Sequence, residues 1–197
     1  MNLNYTKAKE EMLIALNEDC QHFFVQNGYI LESGYFELLN NRPQNAEELF
    51  SKISAEDIRA HWGAFIATLV QGNLHGYPSY FELRNFFEID FNLFLKHYLG
   101  EYIENIIKYT DWLCTINPEV FKFLGRVFLN NGYDEYGMFF LKRAKDYFYT
   151  DPELHYLLAE TYYKNGDKKN AKKSLKSCLE ILPAYYPAIA LERVLEN

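Results

Sequence analysis

PEVFKFLGRVFLNNGYDEYGMFFLKRAKDYFYTD (118–151) runs directly into PELHYLLAETYYKNGDKKNAKKSLKSCLEILPAY (152–185). Laid one over the other, these 34-residue segments agree at Pro118/Pro152, Glu119/Glu153, Leu124/Leu158, Asn131-Gly132/Asn165-Gly166 and Leu141-Lys142/Leu175-Lys176. A repeat of this length is the mark of stacked helical hairpins, each too small to bury its own apolar face alone. Within each copy the Asn-Gly pair ends a first helix, because Gly adopts the left-handed conformation that closes one. Asn117-Pro118 and Asp151-Pro152 read as matching starts, with a capping side chain followed by a proline at the first helical position, where the missing N–H is not needed.

The rest of the chain agrees with an all-α architecture. Apolar spacing of three and four predicts helices over 5–26 (Met12, Leu13, Leu16, Cys20, Phe23, Phe24), 30–40, 45–53, 54–71, 79–98, 101–116, 118–130, 133–149, 152–164, 168–181 and 188–196. Ser54 is the expected cap of the fourth, with Asp57 in a capping-box position. No segment alternates with period two. The segment Gly72-Asn73-Leu74-His75-Gly76-Tyr77-Pro78 is the richest in turn formers and the expected joint.

Composition narrows the function classes. The chain has 197 residues and a net charge of −7, which weighs against nucleic acid as a partner. Lys168, Lys169, Lys172, Lys173 and Lys176 share one helix and read as its solvated face, since Ala171, Leu175 and Leu179 keep the other face apolar. Three widely spaced cysteines, Cys20, Cys114 and Cys178, suggest a reducing compartment rather than a disulfide framework. Glu10, Glu11 and Glu18 interrupt the N-terminal segment, which does not read as a signal peptide, and no apolar run is long enough to span a bilayer. A cytoplasmic protein with no membrane partner is expected.

Phe121-x2-Leu124-Gly125-x2-Phe128 and His155-x2-Leu158-Ala159-x2-Tyr162, followed by Ala171-x3-Leu175 and Pro183, resemble the tetratricopeptide repeat (TPR) pattern W-x2-L-G-x2-Y, A-x3-F, P. Gly125 and Ala159 are small where a partner helix crosses, as are Gly137 and Ala171, while Phe128 and Tyr162 fill the space between the two helices. The resemblance departs at His155, at Cys178 and at Tyr149, which stands where the second copy has Pro183. It implies a right-handed superhelix of antiparallel hairpins with 10–11 helices: irregular hairpins over 1–83, a degenerate repeat over 84–117, repeats over 118–151 and 152–185, and a capping helix over 186–197. The alternative is a separate N-terminal bundle ending near Gly76.

The resemblance also implies a concave groove lined by the first helix of each hairpin. Residues there that carry no packing signature are the binding candidates: Lys122, Arg126, Leu129 and Asn130 in the first copy, and Tyr156, Glu160, Tyr163 and Lys164 in the second, flanked by Glu119 and Glu153. A carboxylate clamp is not carried over, because Arg126 and Leu157 stand where that clamp has Asn.

No catalytic residue, metal site or cofactor is expected, since His22, His61, His75, His97 and His155 are scattered and no nucleophile–base motif occurs. His155 reads as a packing histidine and Cys114 as core. Glu88 and Asp90, two apart on a helix, read as a solvated face.

The functional expectation is a non-catalytic scaffold or adaptor that binds a peptide or partner helix, with a bacterial assembly or secretion chaperone as a specialised form. The alternative is an accessory or substrate-docking domain of an enzyme. Ile189, Leu191, Val194 and Leu195 on the last helix predict either a homodimer through that end or a fold-back onto the groove.

Overall fold

The computed structural model describes residue 26 and residues 28–196. The apolar residues of the helix expected over 5–26 lie outside the described residues. The described residues form eleven helices and no strand. They cluster into two compact units, one ending at Asn117 and the other beginning at Pro118.

The first unit holds α1 (Ile30–Leu39), α2 (Pro43–Ser51), α3 (Ile58–Val70), α4 (80–96), α5 (Gly100–Lys108) and α6 (Thr110–Ile116). Pro43 opens α2. Ser54 does not cap α3. Its hydroxyl donates back to the Ser51 carbonyl, and Asp57 caps the helix by accepting from the Arg59 and Ala60 N–H groups at 2.7 and 3.2 Å. Ser79 and Glu82 form a reciprocal capping box at the start of α4. The α4 helix then widens into a π turn over Leu83–Phe87. Two adjacent rings, Phe86 and Phe87, thereby both reach Trp62, at centroid distances of 6.3 and 6.4 Å.

Two features hold this unit together. Phe50 is fully buried, and its ring occupies the space that side chains on Gly34 and Gly63 would take: a Cβ on Gly63 would lie 2.8 Å from it and one on Gly34 closer still. Burying such a ring stabilises by about 1.5–3 kcal/mol. The second feature corrects the sequence reading of Asp90. Asp90 is no surface residue but is 0% exposed, and it accepts from the Tyr35 hydroxyl at 2.9 Å, the Trp62 indole N–H at 2.6 Å and the Arg59 guanidinium. The guanidinium lies over the Tyr35 and Phe86 rings, 4.7 and 4.6 Å from their centroids. A buried carboxylate is tolerated on these terms, with its lone pairs filled and a cation beside it.

The loop 72–78 is no joint between the units but lies inside the first. Asn105 donates to the Val70 carbonyl at 2.8 Å and the Tyr109 hydroxyl to that of Gly72 at 2.6 Å. Tyr109 also divides the helix expected over 101–116 into α5 and α6.

The second unit holds α7 (Val120–Asn130), α8 (Asp134–Tyr147), α9 (Pro152–Lys164), α10 (Lys168–Ile181) and α11 (Tyr186–Glu196). Gly132 and Gly166 take positive φ, +80° and +77°, at the two hairpin turns. The two helix starts differ. Asp151 caps α9 through the Glu153 and Leu154 N–H groups, whereas α7 begins at Val120 with no side-chain cap, and the Asn117 amide donates to the Tyr80 carbonyl.

The α7–α8 crossing is a backbone contact. A Cβ on Gly125 would sit 3.1 Å from the Gly137 carbonyl oxygen, and one on Gly137 would sit 3.0 Å from that of Gly125. In the second hairpin the same positions hold Ala159 and Ala171, both fully buried. The α11 helix turns Ala188 and Leu195 into the core of Ala159, Ala171, Leu175 and Cys178. Of the other apolar residues of α11, Ile189 and Leu191 are half-buried and Val194 is exposed.

Two stability changes are expected from chemical denaturation with hydrogen exchange to separate the units. Asp90→Ala, which strands the Arg59 charge, destabilises the first unit by about 3–5 kcal/mol. Gly125→Val forces α7 from α8 and costs the second unit about 1–3 kcal/mol, while the first unit is unchanged.

Candidate functional site

Within the second unit α7 touches α9 as well as its hairpin partner α8. The predicted groove residues lie on α7 and α9, and most are already engaged. Lys122 is only 6% exposed, and its ammonium meets Asp151 at 2.7 Å, Glu153 at 3.2 Å and Glu119 at 3.5 Å. Arg126 pairs with Glu153 at 2.7 Å. Asp151 thus both caps α9 and ties it to α7. Burial opposes the Lys122 charge, but the hydrogen bond and attraction of Asp151, followed by those of Glu153, outweigh it and hold the ammonium above the usual lysine range. Lys122 therefore acts as a strut of the frame rather than as an open cation.

Leu129 is likewise taken up by packing, with its Cδ2 2.6 Å from where a Cβ on Gly137 would stand. In the second copy the Tyr156 hydroxyl donates to Glu160 at 3.1 Å, and Lys164 pairs with the same carboxylate at 3.1 Å. The Tyr156 ring leans on Tyr185 at 5.6 Å. Burial, then the Glu160 charge, pushes its phenol up to about 12. Tyr163 packs against the core that α11 completes. Asn130 and Lys164 remain exposed. Arg126 and Lys122 come together through Glu153, and Tyr156 and Lys164 through Glu160, but no set of the eight converges on a shared empty site.

A different surface is more open. On α8, Tyr136, Phe139 and Tyr147 are 57%, 54% and 56% exposed, and their spacing places them along one face with Arg143 between. The Arg143 guanidinium lies 4.3 Å from the Phe121 ring centroid and 5.9 Å from that of Phe139. Tyr136 and Tyr147 lean on buried rings, Phe128 at 5.3 Å and Phe121 at 5.6 Å, which fixes their orientation. Beside this stripe is an open cavity of about 700 Å³, lined by Met138, Phe139, Lys142, Arg143 and Asn165 among others. The sequence reading passed over it by searching only the first helix of each hairpin. The available signal was three rings on α8 that the packing pattern does not use.

In the first unit, His61 Nδ1 lies 2.5 Å from Glu82, whose other oxygen accepts from the Ser79 N–H and hydroxyl at 2.7 Å each. Burial raises the Glu82 pKa, but the Ser79 hydrogen bonds and His61 together hold it below the usual range. Because the Ser79 hydroxyl donates to Glu82, it is not presented to the histidine as a nucleophile. His155 is buried, and its Nε2–H donates to the Tyr149 carbonyl at 2.7 Å. Cys114 and Cys178 are buried thiols, and burial, followed by the Asp151 charge, pushes Cys178 up to about 11. Among the described residues, no cluster of His, Cys, Asp and Glu is arranged to hold a metal ion, and no helix is long and apolar enough to cross a membrane.

No family model matches the chain, and neither a curated protein nor a solved structure does.

The Lys122 strut has an alkaline signature. Its folded pKa lies above the unfolded value, so its stabilisation is complete below the unfolded lysine value of about 10.4 and is lost as pH rises through the folded one. Lys122→Met is expected to lose about 1.5–3 kcal/mol at neutral pH and to show a shallower decline in alkali than the parent. Denaturation midpoints of both across that range provide the measurement, and parallel curves would remove the strut.

Proposed function

We propose that the chain is a non-catalytic protein-interaction scaffold. Its second unit is a stack of TPR-like hairpins that presents the α8 stripe to a helix or peptide of a partner protein. The observation that carries this reading is the exposure of Tyr136, Phe139 and Tyr147 on one helix face, with Arg143 among them. Protein interfaces are enriched in Tyr, Phe and Arg, and rings held by their neighbours bind at little entropic cost. These rings rest on the core by their inner sides and leave their outer sides as apolar area that a partner can cover. The TPR-like arrangement is supported by the matched crossings Gly125/Gly137 and Ala159/Ala171. The α7–α9 ion pairs set the hairpin spacing and leave the predicted groove a lesser part, through Asn130, Tyr163 and Lys164.

A second reading, a substrate-docking part of an enzyme, has the His61–Glu82 pair in its favour, since a carboxylate that orients a half-exposed imidazole is an arrangement found in general bases. The engagement of Ser79 with Glu82 weighs against it.

Photo-crosslinking in the source cell separates the surfaces. With the crosslinker at position 136, 163 or 48, the last an exposed control position on the first unit, adducts to a discrete protein are expected from 136 and are lost in Phe139→Ala/Tyr147→Ala. Adducts from 163 alone would move the docking surface back to α7 and α9. Adducts equal at all three positions would remove the assignment.

A further inference from the structure

The five lysines of α10 are not accounted for by the fold. Lys168, Lys169, Lys172, Lys173 and Lys176 are all exposed, while Ala171, Leu175 and Cys178 bury the opposite face. They form two adjacent rows, 168-172-176 and 169-173, over about 12 Å of helix. Lys176 approaches Glu180 at only 3.8 Å, with both side chains largely exposed.

Local energetics work against this arrangement twice. Like charges three and four residues apart on a helix repel. Lys168 and Lys169 also occupy the first turn, at the positive end of the helix dipole, with no acid in that turn and Asp167 as the cap. The same features that weaken the helix add up to a positive field outside it. Residues 1–117 hold 8 Lys and Arg against 16 Asp and Glu, and residues 118–197 hold 12 against 11, five of the 12 on this one face.

We propose that the exposed face of α10 docks a short acidic segment of a partner protein. Its size and composition select this occupant. The stripe is scarcely longer than the screening length of about 8–10 Å in physiological salt. A segment of one or two helical turns bearing Asp or Glu stays within the field of the lysines. A nucleic-acid duplex or a lipid surface extends past it over a chain of net charge −7. Beside the lysine rows stand Asn170, Ser174 and Ser177, and α10 exposes no apolar side chain to enter lipid. Lysines, unlike arginines, act as point charges and ask no fixed geometry of the carboxylates they meet. The proposal does not depend on the α8 surface, since it uses another helix and charge instead of rings.

The test uses the full chain and labelled decaglutamate, followed by fluorescence anisotropy at about 50 and about 200 mM salt. Saturable binding is expected at the lower salt, at least tenfold weaker at the higher. Lys169→Glu/Lys173→Glu should lose at least tenfold in affinity with unchanged helical circular dichroism and no fall in thermal stability, because it relieves repulsion. Lys52→Glu, on an exposed position of the first unit, should bind as the parent does. The proposal is overturned by absent saturable binding at the lower salt, by equal binding in the α10 double variant, or by tighter binding of a DNA duplex or phosphatidylserine vesicles than of decaglutamate. Failure of the α8 crosslinks would leave these results unaffected.

Discussion

The second unit depends on one close approach, where α7 and α8 cross with Gly125 against Gly137. A side chain at either position would push the helices apart. Phe121, Phe128 and Phe140 pack alongside, with Phe128 and Phe140 nearly parallel at 5.7 Å. Because those rings are locked, Tyr136 and Tyr147 rest against an ordered wall and present their outer sides to solvent. The surface proposed for docking is thus a consequence of the crossing beneath it. The second hairpin replaces glycine by alanine at both positions and adds α11 over the resulting core.

Charge is used in three distinct ways in this chain. Asp90 is buried with Arg59, an indole and a phenol filling its lone pairs, so it pins α1, α3 and α4 to one register. Lys122 is nearly buried and shared among Asp151, Glu153 and Glu119, which holds α7 to α9. The α10 lysines contribute to neither task. A charge that organises the interior has its partners within hydrogen-bond reach. The lysine stripe has its strongest field directed outward, and on that contrast the acidic-segment proposal rests.

Much of the architecture was legible in the residues. The Asn-Gly turns, Asp151-Pro152 and the small residues at 125, 137, 159 and 171 are local signals, and the helices at 152–164 and 168–181 have the ends that the spacing predicts. His155 and Cys114 are buried, as their sequence contexts imply. Asp90 was misread because a carboxylate on a helix usually faces water, and nothing near it in sequence signals that Arg59, Trp62 and Tyr35 will close around it. The ion pairs of Lys122 and Arg126 are not legible in the sequence, because their partners Asp151 and Glu153 belong to the next hairpin.

The sequence by itself determined the helical class, the paired hairpins of 118–185 and their small-residue crossings, because periodicity, turn chemistry and side-chain size act within a few residues. Tertiary structure alone decided which polar groups meet. Asp90 finds Trp62 and Tyr35 across 28 and 55 residues, and Lys122 finds Asp151 across 29. Such pairings depend on how helices rotate and slide against one another. One turn of misregister would break the pair while leaving every local signal intact.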